Sequence, residues 1–458
     1  MKLFRASGLW FRADEPENRV AGTLRFSESG LRLKLLGGFQ GGWSPDAQWY
    51  GIIQGVVGNS PYGEFVSLYD CFQTSKSLGS QGIGSETIRC GRAYMGDDYL
   101  FEEDAEIRSI SLTTSFLYDW ARTKDVNELK FSLPPWNEVG IQNGFPEPVR
   151  FDIDDAIVLV VVSYSSHSST RAAGIRATSS ISITPRTTLR ARAIAGKFVQ
   201  RFCDLLSFAT DRPNAVEEVT LTQTKGTGVS KRHHLLYDRI FRLQDERSGL
   251  YEGDMLFSLI EAIEAGLNIF QGWLDFTNKH AEFCTVYFAS LYAEPKYLDE
   301  KFQRMISAFT LLCGSLSDAT PQTIQFVEDI SRTFNKSFTD KDRLLLCHLL
   351  PTPPKVQLTL DMRRLLEEHA RLMGQVISDF DEFVMAVSTT LRYIETREEP
   401  QGHSKLEGAK LHYAMQKIRL LIKILVLGQL GFDGSGVASF IERNKDFLHM
   451  KALLGKAR

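Results

Sequence analysis

The sequence predicts an α+β protein, with a β-rich amino-terminal domain (sandwich- or barrel-like) over residues 1–245 and an all-α bundle over residues 246–458. Three observations lead there. Short runs of alternating apolar residues, spaced by Gly, Ser, Asp and Pro, recur through the first half of the chain. After Tyr251 the apolar period lengthens to that of helices. Between the two lies the polar segment TKGTGVSKRHH, which reads as a loop.

The elements follow in order. Gly22 to Phe39 holds two alternating runs around a turn, with Leu31, Leu33 and Leu35 on one face, and so predicts a hairpin. Strand patterns recur at Val66 to Phe72, Ile107 to Leu112, Ala156 to Tyr164 and Ser180 to Thr184. Thr188 to Ala209 turns helical, and Val216 to Gln223 is one further strand. In the second half, Met255, Leu256, Leu259, Ile260, Ile263, Leu267 and Phe270 recur at helical spacing behind Asp254, a residue type that caps helices. Further helices are expected at Leu298 to Leu316, Gln322 to Asn335 and Asp340 to Leu350, where Pro351, Pro353 and Pro354 stop the pattern. Val356 to Glu395 carries a helix or pair of helices, and Leu406 to Leu430 carries another.

Composition excludes several classes. With 43% hydrophobic and 24% charged residues, the chain can bury more than one core and is not a disordered polyelectrolyte. Its start does not resemble a signal peptide. The most apolar run, Ile418 to Leu430, is interrupted by Arg419, Lys423, Gly428 and Gln429, so no membrane span is expected. The six cysteines form no C-x-x-C pair, so neither a metal site nor a disulfide framework is signalled, and a reducing cytoplasm fits. No cofactor is expected either. GGFQGG at Gly37 to Gly42 lacks the Lys-Ser or Lys-Thr of a phosphate-binding loop, and H-E-x-x-H and G-x-S-x-G do not occur.

Charge is unevenly distributed. From Ile157 to Cys203 there are cations, among them Arg190 and Arg192, and no Asp or Glu; Lys231 and Arg232 extend the stripe. Such a stretch can neutralise nucleic-acid phosphates, which makes Arg190, Arg192, Lys231 and Arg232 candidate nucleic-acid-binding residues, RNA-binding on the resemblance given below. Equally, it can be a solvated face whose counter-charges come from elsewhere in the fold, and an acidic cluster stands at Asp97 to Glu106.

GLWFRADEPENRVAGTLRFSESGLRLKLLGGF, Gly8 to Phe39, resembles the amino-terminal domain of ApeA-like bacterial anti-phage proteins. In them a G-x-W/F start precedes a G-T-L strand and a second strand ending at Gly-x-Phe. LFSLIEAIEAG is similar to that family's first carboxy-terminal helix and KLHYAMQKIRLLIKILVLGQLGF to its last long one. The resemblance implies a sensor domain followed by a HEPN bundle, a helical fold often used for metal-independent RNA cleavage.

The HEPN signature is an Arg, a polar residue such as Asn, and a His four to six positions on. His can carry a proton near neutral pH, and Arg is a permanent forked cation for a phosphate gathering charge. The spacing alone is weak, because Arg343 to His348, Arg364 to His369 and Arg443 to His449 also satisfy it. The family places its motif just before the loop into the last long helix, here TTLRYIETREEPQGH. In one register Arg392 takes the motif Arg and Thr396 the Thr before the His, with Tyr393 where Asn is usual and Arg397 where His is usual. In the other, Arg397 is the motif Arg and His403 the His, with Pro400 and Gly402 inside the motif. Loop length favours the first. Since Arg is not deprotonated in proteins, it needs a proton carrier from elsewhere: His403, Glu395 or Glu398. Arg392, Arg397 and His403 are thus the candidate catalytic residues; alternatively, Arg392 and Arg397 merely pair with Glu395, Glu398 and Glu399 at a helix end.

By resemblance, the chain is expected to be a cytoplasmic anti-phage HEPN ribonuclease of the abortive-infection type. RNA such as tRNA would be the substrate, a phage protein the trigger and a homodimer the assembly. The alternative is a catalytically degenerate HEPN protein that senses a phage component or binds RNA.

Overall fold

The computed structural model describes residues 4–27, 30–39, 49–58, 60–78, 84–122, 131–132, 140–141, 147–169, 172–224, 230–237, 250, 252–292, 296–316, 354–398 and 405–457. The chain divides into two compact units, Met1–Gln271 and Gly272–Arg458.

The first unit is built on antiparallel strands: β1 (Phe4–Arg12), β2 (Glu15–Ser27), β3 (Gly30–Leu36), β4 (Trp49–Tyr50), β5 (Ile53–Val57), β6 (Phe65–Tyr69), β7 (Cys71–Leu78), β8 (Gly84–Cys90), β9 (Arg92–Gly96) and β10 (Glu106–Thr114). They are followed by β11 (Phe131–Ser132), β12 (Gly140–Ile141), β13 (Val149–Ile153), β14 (Ala156–Ser169), β15 (Ala172–Pro185), β16 (Leu189–Arg190), β17 (Val216–Thr224) and β18 (Ser230–Tyr237). All but β11 and β12 join one sheet, in the order β13-β14-β15-β10-β17-β18-β9-β6-β5-β1-β2-β3-β8-β7-β4, with β16 on β10. Alternation explains the amino-terminal part. Leu31, Leu33 and Leu35 of β3 point inward with Leu24 and Phe26 of β2, and Trp10, Ile53, Val66, Leu68 and Ile88 complete that core. Trp10 stands opposite Gly55, where a Cβ would come within 2.4 Å of the indole, so a side chain there would expel the ring. At the β13–β15 end, helices cover the sheet. Phe270 packs edge-on against Trp120, Phe151 and Phe202, which joins the helices Leu117–Ala121 and Gln200–Ala209 to strand β13.

Two sequence expectations change here. The segment expected to be a loop through His234 instead contains β18, paired with β17 and β9, and His233 and Leu235 turn into the interior. Period-2 alternation survives in KRHHLL, but its basic residues hide it. The single helix expected behind Asp254 is two, Leu259–Glu264 and Ile269–Lys279, with Asp254 in a preceding 3₁₀ turn. Ser258 is the cap: its side chain accepts from the Glu261 N–H while Glu261 reaches back to the Ser258 N–H. Gly266, at φ +70°, lies between the two helices.

The second unit is helical. Ala281–Tyr292, Leu298–Leu316, Pro354–Glu368, Ala370–Met373, Phe380–Thr396, Gly408–Gln429, Gly434–Arg443 and Lys445–Ala457 follow the end of Ile269–Lys279. The helices expected at Gln322 to Asn335 and Asp340 to Leu350 lie outside the described residues. Gly408–Gln429 is the central element. Every residue from Leu420 to Leu427 is buried, so this stretch has no solvent face, and it packs against Leu298–Leu316, Gly434–Arg443 and Lys445–Ala457. Lys423 is buried within it and directs its ammonium towards Asp446 at 4.0 Å. Among the described residues, no helix is long and apolar enough to cross a membrane, and no group of three His, Cys, Asp or Glu side chains could hold a metal ion.

Candidate functional site at the end of the Phe380–Thr396 helix

The helix Phe380–Thr396 starts on a cap. Asp379 accepts the Glu382 N–H at 2.9 Å, and Val384, Val387, Leu391 and Ile394 form the buried stripe. It stops where Arg397 adopts the left-handed conformation, φ 60° and ψ 16°, and donates its N–H to the Tyr393 carbonyl at 2.7 Å. Gly or Asn is the usual choice there, and an L side chain costs roughly 1–2 kcal/mol. Thr396 ties the turn, donating to the Arg392 carbonyl at 2.9 Å and accepting the Glu398 N–H at 3.2 Å. The chain then returns to the same helix. The Leu406 N–H bonds to Thr390 Oγ1 at 2.8 Å, and that buried hydroxyl donates to the Ala386 carbonyl at 2.6 Å.

That return puts cations around one ring. Lys405 Nζ lies 3.8 Å from the centroid of Tyr393, and the Arg397 guanidinium 5.7 Å from it. Beside them open two hollows. One, of about 280 Å³, is lined by Thr390, Tyr393, Arg397, Lys405 and Glu407 over the apolar floor of Leu298, Ile394 and Leu411. The other, of about 400 Å³, is lined by Tyr297, Asp299, Glu300, Gln303 and Arg397. Leu298, Asp299, Ile394 and Arg397 are common to both, so they share a wall.

Both arginines meet carboxylates. Arg392 pairs with Glu398 at 3.3 Å and Arg397 with Asp299 at 3.5 Å. Each of the four side chains is at least 45% exposed, so each pair contributes about 0–1 kcal/mol and a phosphate can displace it. His403 lies outside the described residues, and no histidine among the described residues lines either hollow. The other Arg-to-His spacings are found elsewhere. Arg364 pairs with Asp361 and Glu368, and His369 precedes a short helix. Arg443 ends one helix, Asn444 accepts the Asp446 N–H at the start of the next, and His449 lies 3.5 Å from the Tyr413 hydroxyl. Arg343 and His348 lie outside the described residues.

In the first unit the basic stripe meets the acidic cluster. Arg190 and Arg192 face Glu103 at 3.9 and 3.5 Å, and Arg190 also donates to its carbonyl. Lys231 pairs with Asp98 at 2.5 Å, while Arg232 is exposed on β18. Lys197 and Arg186 likewise face Asp155 and Asp152. Much of the stripe therefore meets carboxylates within the fold.

Sequence reasoning missed Tyr393 and Lys405 as a pair, and missed Asp299 and Tyr297 altogether. The last two lie about a hundred residues upstream, and nothing local marks them.

An antiparallel sheet with a helical carboxy-terminal unit defines the class. Residues 5–273, more than half of the chain, match the family model described as ApeA N-terminal domain 1. The chain belongs to the ApeA family, and membership makes it an anti-phage defence protein. Comparison with curated proteins and with solved structures gives no match.

Proposed function

We propose that the helical unit is a HEPN-type ribonuclease, working in the cytoplasm, that cuts RNA, and tRNA by the family resemblance, when the β-rich unit senses a phage protein. The observation that carries this reading is the return of the chain onto the helix end, which lines one hollow with both Arg397 and Lys405. Residues on either side of the motif loop thus bring two cations, Arg397 and Lys405, to one hollow. Arg397 and Lys405 hold the phosphate, and Arg392, on the same helix end, helps to offset the charge that builds up on it. The 2′-hydroxyl attacks phosphorus while its proton passes to a base; the bond to the 5′ oxygen breaks and that oxygen takes a proton, leaving a 2′,3′-cyclic phosphate and a 5′-hydroxyl. Arg397 cannot be the base. His403 supplies the imidazole: it is two residues from Lys405, a span of at most about 7 Å. Two protomers complete the assembly.

One observation favours a second reading, that the unit binds RNA without cutting it. Arg397 stands where the family's motif has His, and arginine cannot carry the proton. Incubating total tRNA with the protein in EDTA, with and without phage lysate, separates the two. The ribonuclease reading expects cutting that falls by about 100-fold or more in His403→Ala, the size of a lost general base, and also in Arg392→Ala. Binding without cutting under any trigger supports the second reading, and neither binding nor cutting rejects both.

A further inference from the structure

The hollow behind Arg397 has features that phosphate binding does not use. Tyr297 is 66% exposed, more than any other large hydrophobic side chain among the described residues, and it stands beside Asp299, Glu300 and Gln303. Acidic residues in the first turn of Leu298–Leu316 favour that helix through its dipole, which accounts for Asp299 and Glu300. It does not account for an open aromatic ring next to them. Each carboxylate already accepts from one arginine, Asp299 from Arg397 at 3.5 Å and Glu300 from Arg304 at 2.5 Å. A carboxylate has about four lone-pair sites, so acceptor capacity remains on both. The hollow therefore offers a stacking face and acceptors, at the small end of ligand pockets, ~300–1,000 Å³.

We infer that this hollow selects a guanine base of single-stranded RNA, an inference that rests on the proposed RNA reading and names its substrate preference. Guanine presents a ring N–H and an amine side by side, the two donors that acceptors at one wall can take together. Uracil presents one donor between two acceptors, and adenine and cytosine an amine beside an acceptor. The base stacks on Tyr297 with its donors on Asp299 and Glu300, while the adjoining phosphate lies across the shared wall at Arg397 and Lys405. Tyr297 and Asp299 are then specificity-determining residues, separate from the proton chemistry.

Binding of labelled RNA hexamers to the full chain in EDTA at one fixed salt concentration tests this, with UUGUUU, UUIUUU (inosine lacks the amine) and UUUUUU as probes. The guanosine hexamer is expected to bind about tenfold or more tightly than the all-uridine one, the size of one hydrogen bond to a charged acceptor, with inosine between. Tyr297→Ala should bring the guanosine hexamer to the all-uridine level, Tyr297→Phe should keep the preference, and Asp299→Asn should abolish it. Equal binding of the three hexamers, or a preference unchanged in Tyr297→Ala, overturns the inference; if Arg397→Ala then weakens all three, RNA binding itself stands. Binding of no hexamer overturns both the inference and the reading it rests on.

Discussion

At the residue scale, Arg397 carries conflicting duties. Its backbone occupies a left-handed position that favours glycine, and its side chain forms the wall between two hollows. Stability and function therefore pull apart there. Arg397→Gly is expected to leave stability unchanged or raise it by up to about 1 kcal/mol in urea titrations, while weakening RNA binding. A loss of stability in that variant would mean that the exposed pair with Asp299 matters more than surface pairs generally do. Little of this was legible beforehand. Arg392 and Arg397 stand out in the sequence as cations at a helix end, but the left-handed turn at Arg397 has no local signature, because neither Gly nor Asn marks it. Asp299 meets Arg397 only through tertiary folding.

At the scale of elements, the site depends on one buried hydroxyl. Thr390 Oγ1 joins the Leu406 N–H to the Phe380–Thr396 helix, and so fixes where Lys405 falls. Thr390→Val keeps the shape and removes the acceptor. It should cost about 1–3 kcal/mol through an unsatisfied amide and should weaken RNA binding along with stability; a stability loss with unchanged binding would show that Lys405 finds its place without this anchor. Elements were legible where period and punctuation agree. Leu298–Leu316 was bounded correctly because its apolar stripe is continuous, and the β2–β3 hairpin because Leu31, Leu33 and Leu35 alternate. Strand β18 was not, since Lys231, Arg232 and two histidines read as polar although His233 is buried. The break at Gly266 was missed because apolar residues continue in helical register across it.

For the whole molecule, acidity is a general lever. His234, His280 and His369 are each held below the ordinary imidazole range, first by burial; Lys279 adds to this at His280, while Glu218 at His234 and Glu368 at His369 oppose it. With folded values below the unfolded one, the unfolded chain takes up protons first as pH falls. Stability is then full above about pH 6.5 and declines from there down through the folded values. Urea midpoints should fall between pH 7.5 and pH 5.5, and a flat profile would show that these rings do not govern acid stability. Family membership rests on the β-rich part, since the match ends at residue 273, whereas the proposed chemistry belongs to the helical unit.

If the helix end at Arg392 and Arg397 cuts RNA with a proton carrier supplied from outside position 397, an imidazole placed at 397 should stand in for that carrier. The decisive measurement is tRNA cleavage in EDTA, with the ends produced, by Arg397→His alone and combined with His403→Ala. Arg397→His/His403→Ala is expected to cut well above His403→Ala and to leave 2′,3′-cyclic phosphates, because an imidazole then stands at the motif's usual His position. If the double variant is as inactive as His403→Ala while still binding RNA, the helix end is not where RNA is cut.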